Sequence, residues 1–465
     1  PLEGIKALFV PRLEQFVGIE VYATSSSGIG GIIRCFAEDF LVEEVLVDGS
    51  KAKVNYCKGQ VLSSSFIKNR YLLCVLVKRD WDTFLALKAI ADQLGISTRH
   101  IQIAGIKDAK AVTAQHITIE GVSAEEIPKI QVKDLKIQPV GYYHSKISSY
   151  YLLGNHFHIT IRAISHSKPT IKERIAKTIK ELKAIGGVPN FFGHQRFGTT
   201  RPITHLVGKA LVQGNFKKAV MLFLAKPSPH EHPESRQARQ QLQATQDFKQ
   251  ALENFPKQLH YERLMLRHLT KKPDDFIGAF RRLPTKLKEL FPQAYQAYLF
   301  NRFLSRRIKE GLSLNRAEVG DYVVNVESSG LLPMIRMHRM ASTATVTELN
   351  KAIQVRKMRL AIPLIGFKQQ PSKGVQGEIE KQILQEEGIS PENFKIEVMP
   401  EISARGELRT VITPLNNFLL EETSGDSANL SKRKVKVSFM LHRGSYATIV
   451  LREIMKPRNL IRAGF

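Results

Sequence analysis

The amino-acid sequence predicts an α+β protein whose sheet is assembled from both ends of the chain, with a more helical insertion between them. Three observations carry this. Period-two alternation and short apolar runs are concentrated before about residue 165, helical periodicity dominates past about residue 200, and alternation returns near the C-terminus. In that last stretch, "KVKVSFML" places Val435, Val437, Phe439 and Leu441 on one face. A late strand that pairs with the early sheet makes the middle an insertion, so the expected domains are 1–188 with 406–465, and 189–405. At 465 residues the chain is also too long for a single compact core.

The elements follow in order. Residues 28–46, "GIGGIIRCFAEDFLVEEVL", pass from a glycine turn into what reads as a half-buried strand pair broken near Ala37. "YLLCVLVKR" from Tyr71 is an apolar strand. "DTFLALKAIADQLG" puts Phe84, Leu87, Ile90, Ala91 and Leu94 at helical spacing, with Asp82 as N-cap and Gly95 as the stop. "VTAQHITIE" and, from Asn155, "NHFHITIRA" alternate as strands. Thr170 to Ile185 carries Ile171, Ile175, Ile179 and Leu182 on one helical stripe that ends at Gly186 and Gly187. "GVPNFFGHQRFGTTRP" then marks a boundary. The Pro-, His- and Gln-rich piece from Lys226 to Thr245 is expected to be mobile or inserted, and "PTKLKELFPQAYQAYLFNRFLSRRIKEG" to be helical. After Gly444, "SYATIVLREI" reads as a helix capped by Ser445.

Composition narrows the function. Hydrophobic residues make up 43% and charged residues 24%, which is globular usage. No apolar run reaches membrane-spanning length, and the start lacks the order of a signal peptide, so a soluble, cytoplasmic protein is expected. Cys35, Cys57 and Cys74 show no CxxC spacing, which leaves neither a disulfide framework nor a thiolate zinc site. With 69 Lys plus Arg against 43 Asp plus Glu, the net charge of +26 concentrates polyanions, and nucleic acid is the leading partner class.

Few residues have the pattern of a reactive site. Asp108, in the loop "AGIKDAKAVTAQ", is a turn aspartate beside lysines; a free carboxylate of this kind, ionised at neutral pH, also suits nucleophilic attack or cation binding. Lys107, Lys110 or a distant arginine could hold it. Strand alternation puts Asn155 and Phe157 on one face and His156 and His158 on the other. Asn155 and Phe157 are either a turn amide and a core ring, or an orienting amide and a stacking ring. His156-x-His158 lacks a third metal ligand at a convincing spacing, and the pair is read as surface or core. "SGIGGIIR" lacks the third glycine of a dinucleotide loop and precedes a strand, which excludes nucleotide binding there. Glu38, Asp39, Glu43 and Glu44 could join Asp108 in a metal-dependent nuclease or stand as strand-edge charges. In "FFGHQRFGTTRP" two glycines flank HQR, and Phe191, Phe192 and Phe197 interleave with Arg196 and Arg201; the stretch could meet a phosphate backbone or an unstacked base, or be a glycine-permitted tight interdomain connection.

Taken together, several ordered blocks resemble the TruD family of tRNA pseudouridine synthases, archaeal members in particular. "IRCFAEDFLVEE", "AGIKDAKAVTAQ", "GNHFHITIR", "GVPNFFGHQRFGTTRPITHLVG", "QAYLFNRFLSRR" and "GSYATIVLREI" are similar to the family's motifs, from near Gly28 to the C-terminus. The resemblance implies a pseudouridine synthase catalytic domain with a mixed, largely antiparallel sheet, interrupted by an α/β TRUD insertion, with RNA in a basic cleft between them. It implies cofactor-free, metal-free isomerisation of uridine in tRNA, with uridine 13 of the D-arm the usual target, and a monomer. By motif match, Asp108 is the nucleophile, Asn155 positions it and Phe157 stacks on the flipped uracil; Lys107, Gln195, Arg196 and Phe197 bind substrate. The sequence departs from the family pattern at Arg34, where lysine is frequent, and at Phe192, where tyrosine is. If Arg34 pairs with Asp108 it keeps the charge but changes its shape. A metal-dependent RNA nuclease and a non-catalytic RNA-binding protein are the competing functions.

Overall fold

Alternating apolar residues in both ends of the chain build one large sheet. The computed structural model describes residues 8–55, 71–327 and 332–465. Its first strands are β1 (Phe40–Leu46), β2 (Tyr71–Arg79), β3 (Ile101–Ile103), β4 (Val112–Glu120), β5 (Leu135–Tyr143) and β6 (Leu152–Ile164). Among the described residues these join the strands Asn416–Gly425 and Arg433–His442 in an eight-stranded sheet. Its order is Asn416–Gly425, Arg433–His442, β6, β1, β4, β2, β5, with β3 also on β4. Only the β1–β4 pair is parallel among these described ladders. The tail strand therefore pairs with the early sheet as its alternation predicts: Val437 faces Ile159 and Phe439 faces Phe157.

The helix Thr83–Leu94 covers one face of that sheet. Asp82 caps it by accepting from the backbone N–H groups of Phe84 and Leu85, and Gly95 ends it at φ 67°. Leu87, Ile90 and Ala91 pack on Leu72, Cys74, Ile117 and Ile119. Phe84, expected on the buried stripe, is exposed instead, because the buried face is set by Thr83, Ala86, Leu87 and Ile90. The helix Lys168–Ala184 buries Ile171, Ile175, Ile179 and Leu182 as its stripe predicts. Cys35 and Cys74 are free thiols, and Cys57 lies outside the described residues.

Several expectations are corrected. The first half of 28–46 is not a strand: only an isolated bridge, Ile32 to Arg162, precedes a short helical turn at Ala37–Asp39 and then β1. Gly31 (φ 94°) and Arg34 (φ 57°) hold the chain out of the extended conformation, and a Cβ on Gly31 would stand 2.7 Å from the Arg162 carbonyl oxygen. The segment from Lys226 to Thr245 is no loose insertion. It contains the helix Pro233–Thr245, in which Ala238 and Leu242 are buried and Arg239 pairs with Glu231 at 2.9 Å and Glu262 at 2.7 Å. Ser445 does not cap the last helix, Ala447–Met455; its hydroxyl lies 2.9 Å from that of Thr413.

The chain divides into two compact units, Ser26–Val188 with Thr413–Phe465, and Pro1–Ser25 with Pro189–Ile412. The limits differ from 1–188, 406–465 and 189–405 at two places. Asn301 Nδ2 donates to the Val17 carbonyl at 2.9 Å and Ser305 Oγ to that of Gly18 at 2.8 Å, tying the N-terminal stretch to the long helix Thr285–Lys309. Likewise Glu407–Thr410 is an edge strand on Met358–Leu364. This second unit is α/β: a helical core that includes Val207, Leu224, Leu266 and Phe280, and a four-stranded sheet in the order Glu407–Thr410, Met358–Leu364, Tyr322–Val326, Pro333–Met340. No helix among the described residues is long and apolar enough to cross a membrane.

Candidate active site

Asp108 stands in the connection from β3 to β4, and the backbone around it is pinned from several sides. Thr83 Oγ1 donates to the Lys107 carbonyl and accepts from the Lys107 N–H, both at 3.2 Å. Gln115 Nε2 donates to the Gly105 carbonyl at 3.2 Å. Lys78 Nζ, buried under the loop, donates to the carbonyls of Asp108 at 2.6 Å and Trp81 at 2.7 Å. Burial brings the Lys78 ammonium down to about 8, with Asp108 and Asp82 opposing. The loop is thereby rigid while the Asp108 side chain stays 36% exposed.

The arginine that pairs with it is Arg34. One guanidinium nitrogen lies 3.3 Å from Asp108 Oδ1, another donates to the Gly464 carbonyl at 3.2 Å, and the guanidinium carbon sits 4.1 Å from the centroid of Phe40. Burial lowers its pKa against the pull of Asp108, and it stays cationic at neutral pH. Lys107, by contrast, is turned into the protein. Its Nζ is 2.5 Å from Glu44 Oε2, and Glu44 Oε1 accepts from the His116 N–H at 3.0 Å. Burial alone would raise the Glu44 carboxyl; the hydrogen bond with the His116 imidazole, whose Nδ1 is 3.2 Å from Oε1, and the Lys107 charge together outweigh it and hold the group below the usual carboxylate range. Lys107 thus anchors the loop to β1, its ammonium engaged by Glu44.

On β6, Asn155 is the register partner of Glu44 and Phe157 that of Val42, so the amide and the ring share the Glu44 face. Phe157 is only 5% exposed, packed between Phe40 (centroids 6.2 Å apart) and Phe439 (5.6 Å). Asn155 Oδ1, Gln115 Oε1 and Arg34 Nε are buried without a hydrogen-bond partner. Buried polar atoms are nearly always satisfied, so these three, one of them on the arginine that pairs with Asp108, are open to a ligand's donors and acceptors.

Gln195, Arg196 and Phe197 belong to the other unit. His194–Arg196 is a single helical turn in which Gln195 and Arg196 are half-buried, and Arg196 donates to Gln293 Oε1 at 3.0 Å. Phe197 is fully buried, edge-on to His205 at 5.3 Å, so its ring is core and offers no face to a base. Phe192 is held the same way: Asn301 brackets its backbone, and Arg409 stacks on its ring at 4.0 Å. Gly198 (φ 101°) lets the turn close, since a Cβ would stand 2.5 Å from the Arg201 carbonyl oxygen.

The carboxylates of a nuclease site are engaged elsewhere. Glu38 pairs with Arg79 at 2.8 Å, and Asp39 with Arg162 at 2.8 Å. Among the described residues, the group with converging ligand atoms is Glu43, His156 and His158, without Asp108. The sequence left Lys78, His116 and Gln115 unassigned to the site, and offered Glu44 only as a metal ligand or strand-edge charge. Their signal was a charged or polar side chain at a strand position that alternation buries.

Residues 16–454 match the family model for tRNA pseudouridine synthase D (TruD). A Methanosarcina barkeri protein named as a tRNA pseudouridine synthase D is 41% identical over 96% of this chain and 98% of its own length. One from Thermococcus onnurineus is 37% identical over 94% and 97%. The crystal structure of a Methanosarcina mazei protein named as TruD is similar with a TM-score of 0.82 at 40% identity, covering 96% of this chain and 98% of that one. Sequence blocks, sheet order and these likenesses agree, and the chain belongs to the TruD family of tRNA pseudouridine synthases.

Proposed function

We propose that this tRNA pseudouridine synthase acts on uridine 13 of the D-arm, with Asp108 as nucleophile on a flipped-out nucleotide. The observation that carries the proposal is the half-exposed Asp108 carboxylate, fixed on a pinned loop and paired with Arg34 at 3.3 Å. Asp108 attacks C1′ of the ribose or C6 of the base. The N1–C1′ bond breaks, the uracil turns and C5 bonds to C1′; the Asp108 carboxylate is displaced from C1′ by C5, or is eliminated from C6, and the C5 proton leaves while N1 gains one, so no redox partner or cofactor is needed. A base inside a stem cannot be reached this way, and leaving the stack costs a few kcal/mol.

Within this proposal Arg34 holds the carboxylate in its attacking geometry, and Asn155 Oδ1 with Gln115 Oε1 accepts hydrogen bonds from the uracil imide or ribose hydroxyl. Phe157, braced by Phe40 and Phe439, is the apolar wall behind the turning base. The unit Ser26–Val188 with Thr413–Phe465 is the catalytic domain and Pro189–Ile412 belongs to the TRUD insertion. Gln195 and Arg196 contact the tRNA backbone; Phe197 acts only by supporting them. The enzyme works as a monomer in the cytoplasm.

The test is tritium release from tRNA carrying 5-tritiated uridine, in EDTA, with wild type and Asp108→Asn. The wild type should release tritium, and the variant should bind tRNA within about twofold of wild type while losing at least about 10³-fold in rate. Release by the variant at wild-type rate would remove Asp108 from the chemistry, and release that needs added divalent ions would remove the metal-free mechanism. Sequencing the product for the modified position tests uridine 13 separately.

A further inference from the structure

His156 and His158 lie on the face of β6 opposite Asn155 and Phe157, and the function above does not use them. Strand pairing supplies what sequence spacing does not. Glu43 on β1 is the register partner of His156, and potential ligand atoms of Glu43, His156 and His158 all lie within 4.8 Å of one another. Each group is already oriented. His158 Nδ1 is 3.0 Å from Glu421 Oε1, which leaves Nε2 directed at Glu43 Oε2, 3.9 Å away. Glu43 Oε1 accepts from the Val54 N–H at 3.0 Å, and Glu421 Oε2 is held by Lys436 at 3.3 Å. The His156 ring stands 4.5 Å from that of His158, nearly perpendicular. Among the described residues His156 makes no hydrogen bond, although it is only partly exposed.

These are the parts of a metal centre. Two imidazoles and one carboxylate with an open position form a known zinc ligand set, and ligand atoms on a tetrahedral ion stand roughly 3.3 Å apart, against 3.9 Å between His158 and Glu43 here and up to 4.8 Å across the group. A carboxylate on the far nitrogen of a ligating histidine fixes its tautomer and raises its basicity, as Glu421 does for His158. Magnesium and calcium prefer all-oxygen shells, so the nitrogen ligands select against them.

We propose that Glu43, His156 and His158 bind one Zn2+-type transition-metal ion, which clamps β1 to β6 on the back of the sheet that carries Asn155. Glu421 is the residue that positions His158. The ion is structural and takes no part in the isomerisation, which runs in chelator.

The test uses full-length, untagged protein stripped with EDTA and desalted. After dialysis against micromolar ZnCl2, metal analysis should return one zinc per chain, and Tm should rise by about 4 °C with ZnCl2 and not with MgCl2. His156→Ala, which removes no hydrogen bond, should keep the metal-free Tm within about 2 °C and lose both zinc and the Tm rise. Glu43→Gln serves as a second probe should His156→Ala fold poorly, and should weaken zinc binding at least about tenfold. Wild type that retains no zinc overturns the proposal. So does zinc retained equally by the foldable variants, which would assign it to other surface histidines.

Discussion

Replacing Glu44 by glutamine removes one charge from a pair that is buried on both sides. The Lys107 ammonium would remain in place without its counter-ion, while the His116 N–H still finds an amide oxygen. Breaking a buried pair on one side costs about 3–5 kcal/mol, and Glu44→Gln with Lys107→Met should recover part of that loss, because the second change removes the stranded charge. Urea unfolding followed through Trp81, the one tryptophan, reports the unit that holds the pair. Lys78 gives a pH signature in the same assay. It titrates near 8 in the fold, chiefly through burial, and near 10.4 when unfolded. Between those values the unfolded chain holds more protons, so the native state gains stability as pH rises from about 8 to about 10, and carries the full penalty below 8. The neutral amine keeps two N–H donors for the carbonyls of Asp108 and Trp81. Wild type should therefore gain on Lys78→Met by up to about 3 kcal/mol between pH 8 and pH 10; a constant difference would mean that the burial of Lys78 does not disfavour its charge. None of these partners is visible in the sequence. A lysine in "YLLCVLVKR" and a glutamate in "LVEEVL" read as strand-end and strand-edge charges, since only the third dimension brings Lys107 to one and Asp108 to the other.

At the scale of elements, the connection between β6 and Arg433–His442 rests on Gly154. A Cβ there would stand 2.0 Å from the Leu441 carbonyl oxygen, so the two strands meet where only glycine fits. Gly154→Ala should therefore lower Tm by about 6 °C or more and reduce the tritium-release rate even below the new Tm, because the displaced strand carries Asn155 with it. Normal kinetics in a folded Gly154→Ala variant would show that the approach of these strands does not set the site. Elements specified by their own periodicity were legible: the helix around Ile171, Ile175 and Ile179, the alternation of β6, the cap at Asp82. Those that depend on distant partners were not. The Lys226–Thr245 stretch is polar by composition, yet Arg239 is drawn inside by Glu231, Glu262 and the Leu224 carbonyl. The Glu43 register that completes the histidine pair is likewise a property of strand pairing, and no spacing along the chain encodes it.

For the whole molecule, the net charge of +26 predicts how binding and chemistry separate. Each phosphate neutralised by lysine or arginine releases condensed counterions, so log K falls linearly with log salt. Contact with about six to ten phosphates would cost about 10³–10⁵ in tRNA affinity between 50 and 200 mM salt. Asp108→Asn removes one negative charge but changes no phosphate contact, so its slope should match the wild-type slope within about one unit. The rate at saturating tRNA should behave differently. In the proposed mechanism Asp108, Arg34 and Asn155 act inside a pinned, partly desolvated site, where added salt screens little. Single-turnover tritium release at saturation should thus change less than about threefold over the salt range in which affinity collapses. If the saturated rate fell in step with affinity, the basic surface would be acting in the chemical step, for instance by holding the nucleotide out of its stack. The charge would then belong to the mechanism of base extrusion as well as to capture.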